Sequence, residues 1–155
     1  MRRRKAERRE IQPDSRYNSV QVQSLINRVL KNGKKSLATQ LVYDAFDIIG
    51  EKTGKDPLEI FNKAVENTSP RMEVRPRRIG GATYQIPMEV PAYRQFALSA
   101  RWMLASVRAQ TGSSFKERLA AELMKAAKNE GSAVNKKEES HRMAKANRAF
   151  SHFRY

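Results

Sequence analysis

The chain has 155 residues and no cysteine, and its 31 Lys and Arg against 16 Asp and Glu give a formal net charge of +15. This length fits one domain, which can bury about two-thirds of the surface that the unfolded chain exposes. No run of about 20 apolar residues is present, so the sequence predicts no transmembrane helix. The basic N-terminus lacks the apolar segment of a secretory signal, and the absence of cysteine excludes disulfides and thiolate sites, which fits a reducing compartment inside the cell.

The charge excess indicates a polyanionic partner. Fifteen unbalanced positive charges on a short chain repel one another, and binding to phosphates relieves that repulsion. Lys and Arg are clustered rather than evenly mixed with acids, so nucleic acid is favoured over a merely soluble basic surface. No basic helix with a bulky aromatic face is evident, so we expect no membrane partner.

The first 17 residues predict a basic N-terminal arm, separate from a helical domain over residues 18–155. Pro13 opposes helix formation, and basic residues dominate the arm. A solvated tail is the alternative, but a short basic arm is typical of segments that contact a phosphate backbone.

Two amphipathic helices are predicted next. The first starts from a cap at Asn18 or Ser19 and ends at Asn32-Gly33, with an apolar face of Val22, Leu25, Ile26, Val29 and Leu30. The second ends at Gly54, with an apolar face of Leu37, Leu41, Ala45, Ile48 and Ile49.

The turn between these helices concentrates positive charge. Lys31 favours the C-terminal dipole of the first helix, whereas Lys34 and Lys35 oppose the N-terminal dipole of the second. An external anion would remove that conflict.

A β-hairpin over residues 71–90 is predicted after a third helix that starts at Asp56-Pro57 and ends before Pro70. A two-residue turn at Gly80-Gly81 pairs residues whose numbers sum to 161. In that register Pro76 and Pro87 fall on non-hydrogen-bonded pairs, so neither proline loses a ladder bond and both block addition of a further strand.

The two-stranded ribbon has no clean core face. Its arginines and Tyr84 suit an arm along a nucleic-acid backbone, with the tyrosine available for stacking. A hairpin packed on its own helices is the alternative, and we expect the base to be packed and the tip to be free.

Three further helices complete the chain. The fourth, after Pro91, carries two apolar faces, with Trp102 in the core. The fifth starts at a capping box, Ser114 with Glu117, and ends at Gly131, and the sixth is capped by Asn135 with Glu138. The sixth helix and the tail are basic.

No pattern indicates catalysis or a bound cofactor. Only His141 and His152 could offer imidazole, no zinc motif is present, and Gly80-Gly81 lacks the remainder of a nucleotide-binding loop. We therefore expect no metal, no cofactor, no small-molecule substrate and no enzymatic activity.

Three blocks of the chain have specific spacing. The first is Leu25-Ile26, six residues, Gly33-Lys34-Lys35, five residues, Leu41-Val42, two residues, Ala45. The second runs from Pro70 to Val90, and the third is Met143-Ala144-Lys145-Ala146-Asn147-Arg148-Ala149. On these blocks the chain resembles the small-subunit ribosomal protein seven family of bacterial or organellar type, and the likeness extends over almost the whole chain.

This resemblance implies a mainly α fold: a single six-helix domain, a protruding two-stranded antiparallel β-hairpin between helices three and four, and a basic N-terminal arm. It implies a structural constituent of the small ribosomal subunit, in the cytoplasm or alternatively in an organelle ribosome, which binds the 3′ major domain of 16S rRNA and nucleates assembly of the head. Its position would be the subunit interface, near exit-site tRNA and the mRNA path, beside ribosomal proteins nine and eleven. A DNA-binding architectural or helix-turn-helix protein is the alternative.

The resemblance and the charge pattern together give two groups of candidate site residues. The predicted rRNA-binding group comprises Arg2, Arg3, Arg4, Lys5, Arg8, Arg9, Arg28, Lys31, Lys34, Lys35, Arg71, Arg75, Arg77, Arg78, Tyr84 and Arg94. The predicted group near the interface, tRNA or mRNA comprises Gly80, Gly81, Lys136, Lys137, Arg142, Lys145, Arg148 and Arg154.

Overall fold

The computed structural model describes residues 10–154, apart from the side chain of Arg154. Six α-helices and one hairpin occur in that part of the chain, followed by a short 3₁₀ segment, here called the C-terminal turn. The helices are α1 (Val20–Val29), α2 (Lys35–Thr53), α3 (Pro57–Thr68), α4 (Ala92–Ala109), α5 (Phe115–Ala127) and α6 (Ser132–Ala146). The strands are β1 (Met72–Ile79) and β2 (Ala82–Glu89), and the C-terminal turn is Arg148–Arg154. The predicted fold class and element order are confirmed.

The described chain divides into two compact units, one ending at residue 40 and the other beginning at residue 41. The division between arm and helical domain after residue 17 stays a prediction. Among the described residues, none of the helices is long and apolar enough to cross a membrane.

A buried aspartate organises the start of the first unit. Asp14 is 3% exposed, and its carboxylate accepts hydrogen bonds from the backbone N–H groups of Arg16, Tyr17 and Ser19 at 2.8–3.1 Å. The Ser19 hydroxyl in turn accepts from the N–H of Val22 and caps α1. The predicted cap is confirmed, and the predicted apolar face of α1 is buried at Val22, Leu25, Ile26 and Val29.

The buried face of α2 agrees with the predicted one at Ala45 and Ile49 and differs from it elsewhere. Its buried residues are Ala38, Val42, Ala45, Phe46 and Ile49, which follow helical spacing, whereas Leu37 is 48% exposed. The prediction that Leu37 belongs to the core was wrong. The row of residues that starts at Leu37 and the row that starts at Ala38 both follow the helical period, and the row from Ala38 is buried because it contains the large side chain of Phe46.

The second unit builds its core around α3. Asp56 caps this helix and Pro57 occupies its first position, as predicted. The rings of Phe46 and Phe61 lie 5.5 Å apart, and the hydroxyls of Thr68 and Ser99 lie 2.6 Å apart between α3 and α4. These contacts hold the helix that leads into the hairpin.

Helix α4 buries one of its two predicted apolar faces over its second half, whereas Tyr93 at its start is exposed. Ala100, Met103, Leu104 and Val107 are at most 3% exposed. On the second predicted face Leu98 is buried, Trp102 is half-buried and Ala105 is exposed. Trp102 therefore covers the edge of the core and is not its central anchor.

Helix α6 begins earlier than predicted. The capping box of α5 is confirmed, but α6 starts at Ser132 after Gly131, so Asn135 and Glu138 lie inside the helix. Gly131, the residue before α6, has a φ of 100°. Glycine adopts this backbone conformation with little strain, whereas other residues do not. Ala133 and Val134 are 0% and 2% exposed. Their burial favours a helix that starts at Ser132, before the capping pattern at Asn135.

The hairpin register is the predicted one. Ile79 faces Ala82, Pro76 faces Gln85 and Pro87 faces Val74, each pair summing to 161. Gly80 and Gly81 both have positive φ, 56° and 89°, as a tight primed turn requires. In the described chain the sheet holds these two strands alone.

Candidate nucleic-acid interface

The outer half of the ribbon is exposed and positively charged. Arg75, Pro76, Arg77 and Arg78 form a continuous exposed run on β1. The opposing half of β2 contributes no acidic residue until Glu89, which lies at the base. The guanidinium of Arg78 has no hydrogen-bond acceptor among the described residues, so it is available to an external phosphate.

A buried carboxylate ties the ribbon arginines to α4. Glu73 is 8% exposed, and its Oε1 accepts from Nε of Arg75 at 2.8 Å and from Nε of Arg94 at 2.8 Å. Its second oxygen lies 2.9 Å from the same Arg94 nitrogen. One acid thus fixes two cations from separate elements, while about 46% of the Arg75 side chain and 37% of the Arg94 side chain stay exposed.

The pKa of Glu73 reflects this pairing. Burial raises the pKa of the carboxyl, but the hydrogen bonds and charges of Arg94 and Arg75 outweigh burial, and the net pKa lies below its ordinary value. Glu73 is therefore ionised near neutral pH, and it orients Arg75 and Arg94 without fully neutralising them.

Tyr84 is not free at the ribbon tip. Its ring lies 5.3 Å from that of Phe150 and 5.5 Å from that of Phe153, in the C-terminal turn. Arg77 adds a third link, since its Nη1 donates to the carbonyl oxygen of Phe153 at 2.8 Å. The expectation of a wholly free tip was wrong because the chain's own aromatic tail covers one face of the ribbon.

The base of the ribbon is attached to α6. The N–H of Arg71 donates to Nε2 of His141 at 2.9 Å, and the hydroxyl of Ser140 donates to the carbonyl of Met72 at 2.9 Å. Burial and, to a smaller extent, the charges of Lys137 and Arg71 hold the pKa of His141 below its ordinary value. The neutral imidazole is the form that can accept this bond. The prediction of a packed base is confirmed.

The predicted cations of α6 are spread over its surface. Lys136 pairs with Glu139 at 2.7 Å, and Lys137 is half-buried. Arg142 and Lys145, with Arg148 at the start of the C-terminal turn, are exposed. Within the helix, Glu139 partly neutralises Lys136 through this contact and interacts more weakly with Arg142.

The lysine turn belongs to the first unit. Asn32 and Gly33 take positive φ, 52° and 73°, and the exposed Lys31, Lys34 and Lys35 flank them. The N–H of Lys34 donates to the carbonyl of Lys31 at 3.1 Å. Arg28 is half-buried, and its Nη1 donates to the Ser24 carbonyl at 3.0 Å.

Some predicted site residues lie outside the described part. These are Arg2, Arg3, Arg4, Lys5, Arg8 and Arg9, together with the side chain of Arg154. Over residues 10–154 no three His, Asp or Glu side chains are grouped as a metal site needs.

Sequence reasoning missed the role of Glu73. Residues i and i+2 share one face of a strand, so the sequence contained a signal for the pair of Glu73 with Arg75. The partnership with Arg94 depends on how α4 follows the hairpin, and no local pattern encodes it.

Comparison with known proteins identifies extensive similarity. The family model described as Ribosomal protein S7p/S5e matches residues 1–148. The small ribosomal subunit protein uS7 of Thermotoga neapolitana is 57% identical over 155 residues, covering 100% of both chains. Proteins with the same name from Thermoanaerobacter sp. and Thermomicrobium roseum are 56% identical over 149 residues, covering 96% of both chains, and 51% identical over 154 residues, covering 99% of both.

Proposed function

Because this chain belongs to the ribosomal protein S7p/S5e family, we propose that it binds 16S rRNA directly and early in assembly of the small subunit. It is a structural small-subunit ribosomal protein, like its bacterial relatives, and it resides in the cytoplasm. Its role is to bind and to order RNA, which is not an enzymatic one.

The proposed binding target is the 3′ major domain of 16S rRNA, where the protein nucleates the head. We place it at the subunit interface, near exit-site tRNA and the mRNA path, with ribosomal proteins nine and eleven as neighbours. The predicted rRNA-binding residues and the interface group around Gly80, Gly81 and α6 are its contacts in this proposal.

The exposed arginine run of the ribbon is the observation that carries the proposal. Glu73 holds Arg75 at one end, the Phe153 carbonyl holds Arg77, and Arg78 projects without an acceptor. Arginines fixed by their own protein lose less conformational freedom when they bind phosphate. The ribbon is therefore preorganised for a phosphate backbone.

Charge reversal of the run tests its role. In the triple variant Arg75→Glu, Arg77→Glu, Arg78→Glu we expect the dissociation constant for a 16S 3′-domain transcript to rise at least about tenfold. The slope of log affinity against log salt should become shallower by about two to three, because up to three phosphate contacts are lost.

A matched control separates contact from general charge. Arg101→Glu, Arg108→Glu, Lys125→Glu changes the net charge by the same amount at exposed positions on α4 and α5. We expect this control to stay close to the wild type. Equal weakening by both variants would mean that the ribbon makes no specific contact.

A further inference from the structure

A groove of about 430 Å³ lies among the end of α2, α3 and α5, and none of its lining residues is a predicted site residue. Four lysines line it: Lys52, Lys55, Lys63 and Lys128. Its apolar lining includes Ile60 and Met124, both half-buried. Glu59 is the one acidic residue in the lining.

None of the four lysine side chains forms an ion pair within 4 Å in the described chain, although Lys52 interacts electrostatically with the carboxylate of Glu117. Lys116 pairs with Asp44 and Lys136 with Glu139, so lysines elsewhere in the protein do find carboxylates. No carboxylate oxygen lies within 4 Å of an ammonium from the groove, and all four lysines are exposed. The lining of the groove therefore carries a formal net charge of +3, and only the Lys52 charge is partly balanced from outside it, by Glu117.

Helix dipoles explain only part of this cluster. Lys52 lies in the last turn of α2 and Lys128 is the C-cap of α5, where positive charge is favourable. Lys63 lies in the middle of α3 and Lys55 lies outside the helices. The end of α5 is moreover already satisfied by Asn67, whose Nδ2 donates to the carbonyls of Ala126 and Ala127 at 2.9 and 3.0 Å.

We propose that this lysine groove is an additional RNA-binding site, whose four lysines hold the phosphates of one strand of ribosomal RNA. The inference rests on the proposed function and adds a surface to it. Ile60 and Met124, at the apolar floor of the groove, then pack against a ribose or the face of a base. The four lysines form the rim of the groove and supply its positive charge.

The chemistry of the rim favours RNA over an acidic protein. Ammonium groups on flexible stems act as point charges that follow a phosphate backbone. Planar bidentate recognition of carboxylates is instead a property of arginine, and the groove contains no arginine. Regularly spaced phosphates also match several separate lysines better than one acidic side chain does.

The test is affinity for a 16S 3′-domain transcript over a salt series. The variant Lys52→Gln, Lys55→Gln, Lys63→Gln, Lys128→Gln should bind at least about tenfold more weakly, with a salt slope shallower by about three. The matched control changes the same four residues to Arg, which keeps the charge, and should bind like the wild type. Glu59→Gln removes the opposing charge and should bind more tightly.

Three outcomes would overturn the groove as an RNA site. The first is a slope of log affinity against log salt that is the same in the Gln variant as in the wild type, while the ribbon variant binds more weakly. That result would remove the groove as an RNA site and would still support the proposed function. The second is equal weakening in the Arg variant, which points to altered packing. The third is binding of a polyglutamate peptide by the wild type, abolished in the Gln variant, with RNA affinity unchanged, which assigns the groove to an acidic protein.

Discussion

Glu73 shows how one carboxylate can orient two arginines of a basic surface and still leave them exposed. This β1 residue is buried, and its carboxylate holds Arg75 and Arg94 at 2.8 Å, yet a large part of each arginine side chain remains exposed. The sequence permitted the prediction of Arg75 and Arg94 as candidate contacts. It did not predict their common partner, because Glu73 and Arg94 are 21 residues apart and meet only through the path of the chain.

His141 gives the ribbon base a pH dependence. Its pKa is lowered, and above about pH 6.5 both the folded and the unfolded chain carry the neutral imidazole. As the pH falls from 6.5 to the lower pKa of the folded state, the unfolded chain takes up the proton first, so the free energy of unfolding decreases. Urea unfolding at pH 7.5 and pH 5 measures this loss, and His141→Gln should lose less stability because it does not titrate.

The control for this prediction is His152→Gln, which removes the other histidine and leaves the bond from Arg71 to His141 in place. It should retain the wild-type pH dependence. An identical loss of stability in the wild type and in His141→Gln would show that the imidazole contact does not contribute.

At the scale of the element, the hairpin depends on its two glycines. Both have positive φ, and a Cβ at either position meets no atom within 4 Å, so substitution changes only the backbone energy. Gly80→Val should destabilise the turn by about 1–2 kcal/mol, whereas Gly80→Asn should be tolerated because Asn adopts this conformation readily. Amide hydrogen exchange at the adjoining ends of β1 and β2 measures the difference. Equal protection in the Val and Asn variants would contradict the turn assignment.

The hairpin was predictable to the residue because two prolines and a Gly-Gly pair restrict it to one register. Helix α6 was less predictable. Its capping pattern at Asn135 competes with an earlier start at Ser132, and the burial of Ala133 and Val134 decides between them. The contact of Tyr84 with Phe150 and Phe153 was unpredictable for a related reason, since the aromatic tail meets the ribbon about 70 residues further along the chain.

At the scale of the whole molecule, the charge of +15 is distributed over several separate surfaces. The sequence identified the ribbon, the turn at Lys31–Lys35 and the basic end of the chain. It did not identify the lysine groove, because Lys52, Lys63 and Lys128 come from three different helices or their ends and form no local cluster in sequence. Dispersed contacts suit a folded RNA, whereas a straight DNA duplex engages one face of a protein.

The most direct test of RNA specificity is binding of the wild-type chain to a 16S 3′-domain transcript with equimolar duplex DNA as competitor, across a salt series. We predict tight binding that DNA does not displace, with a steep decrease in log affinity against log salt. Weak binding that DNA abolishes would contradict it, and would favour a DNA-binding architectural or helix-turn-helix protein.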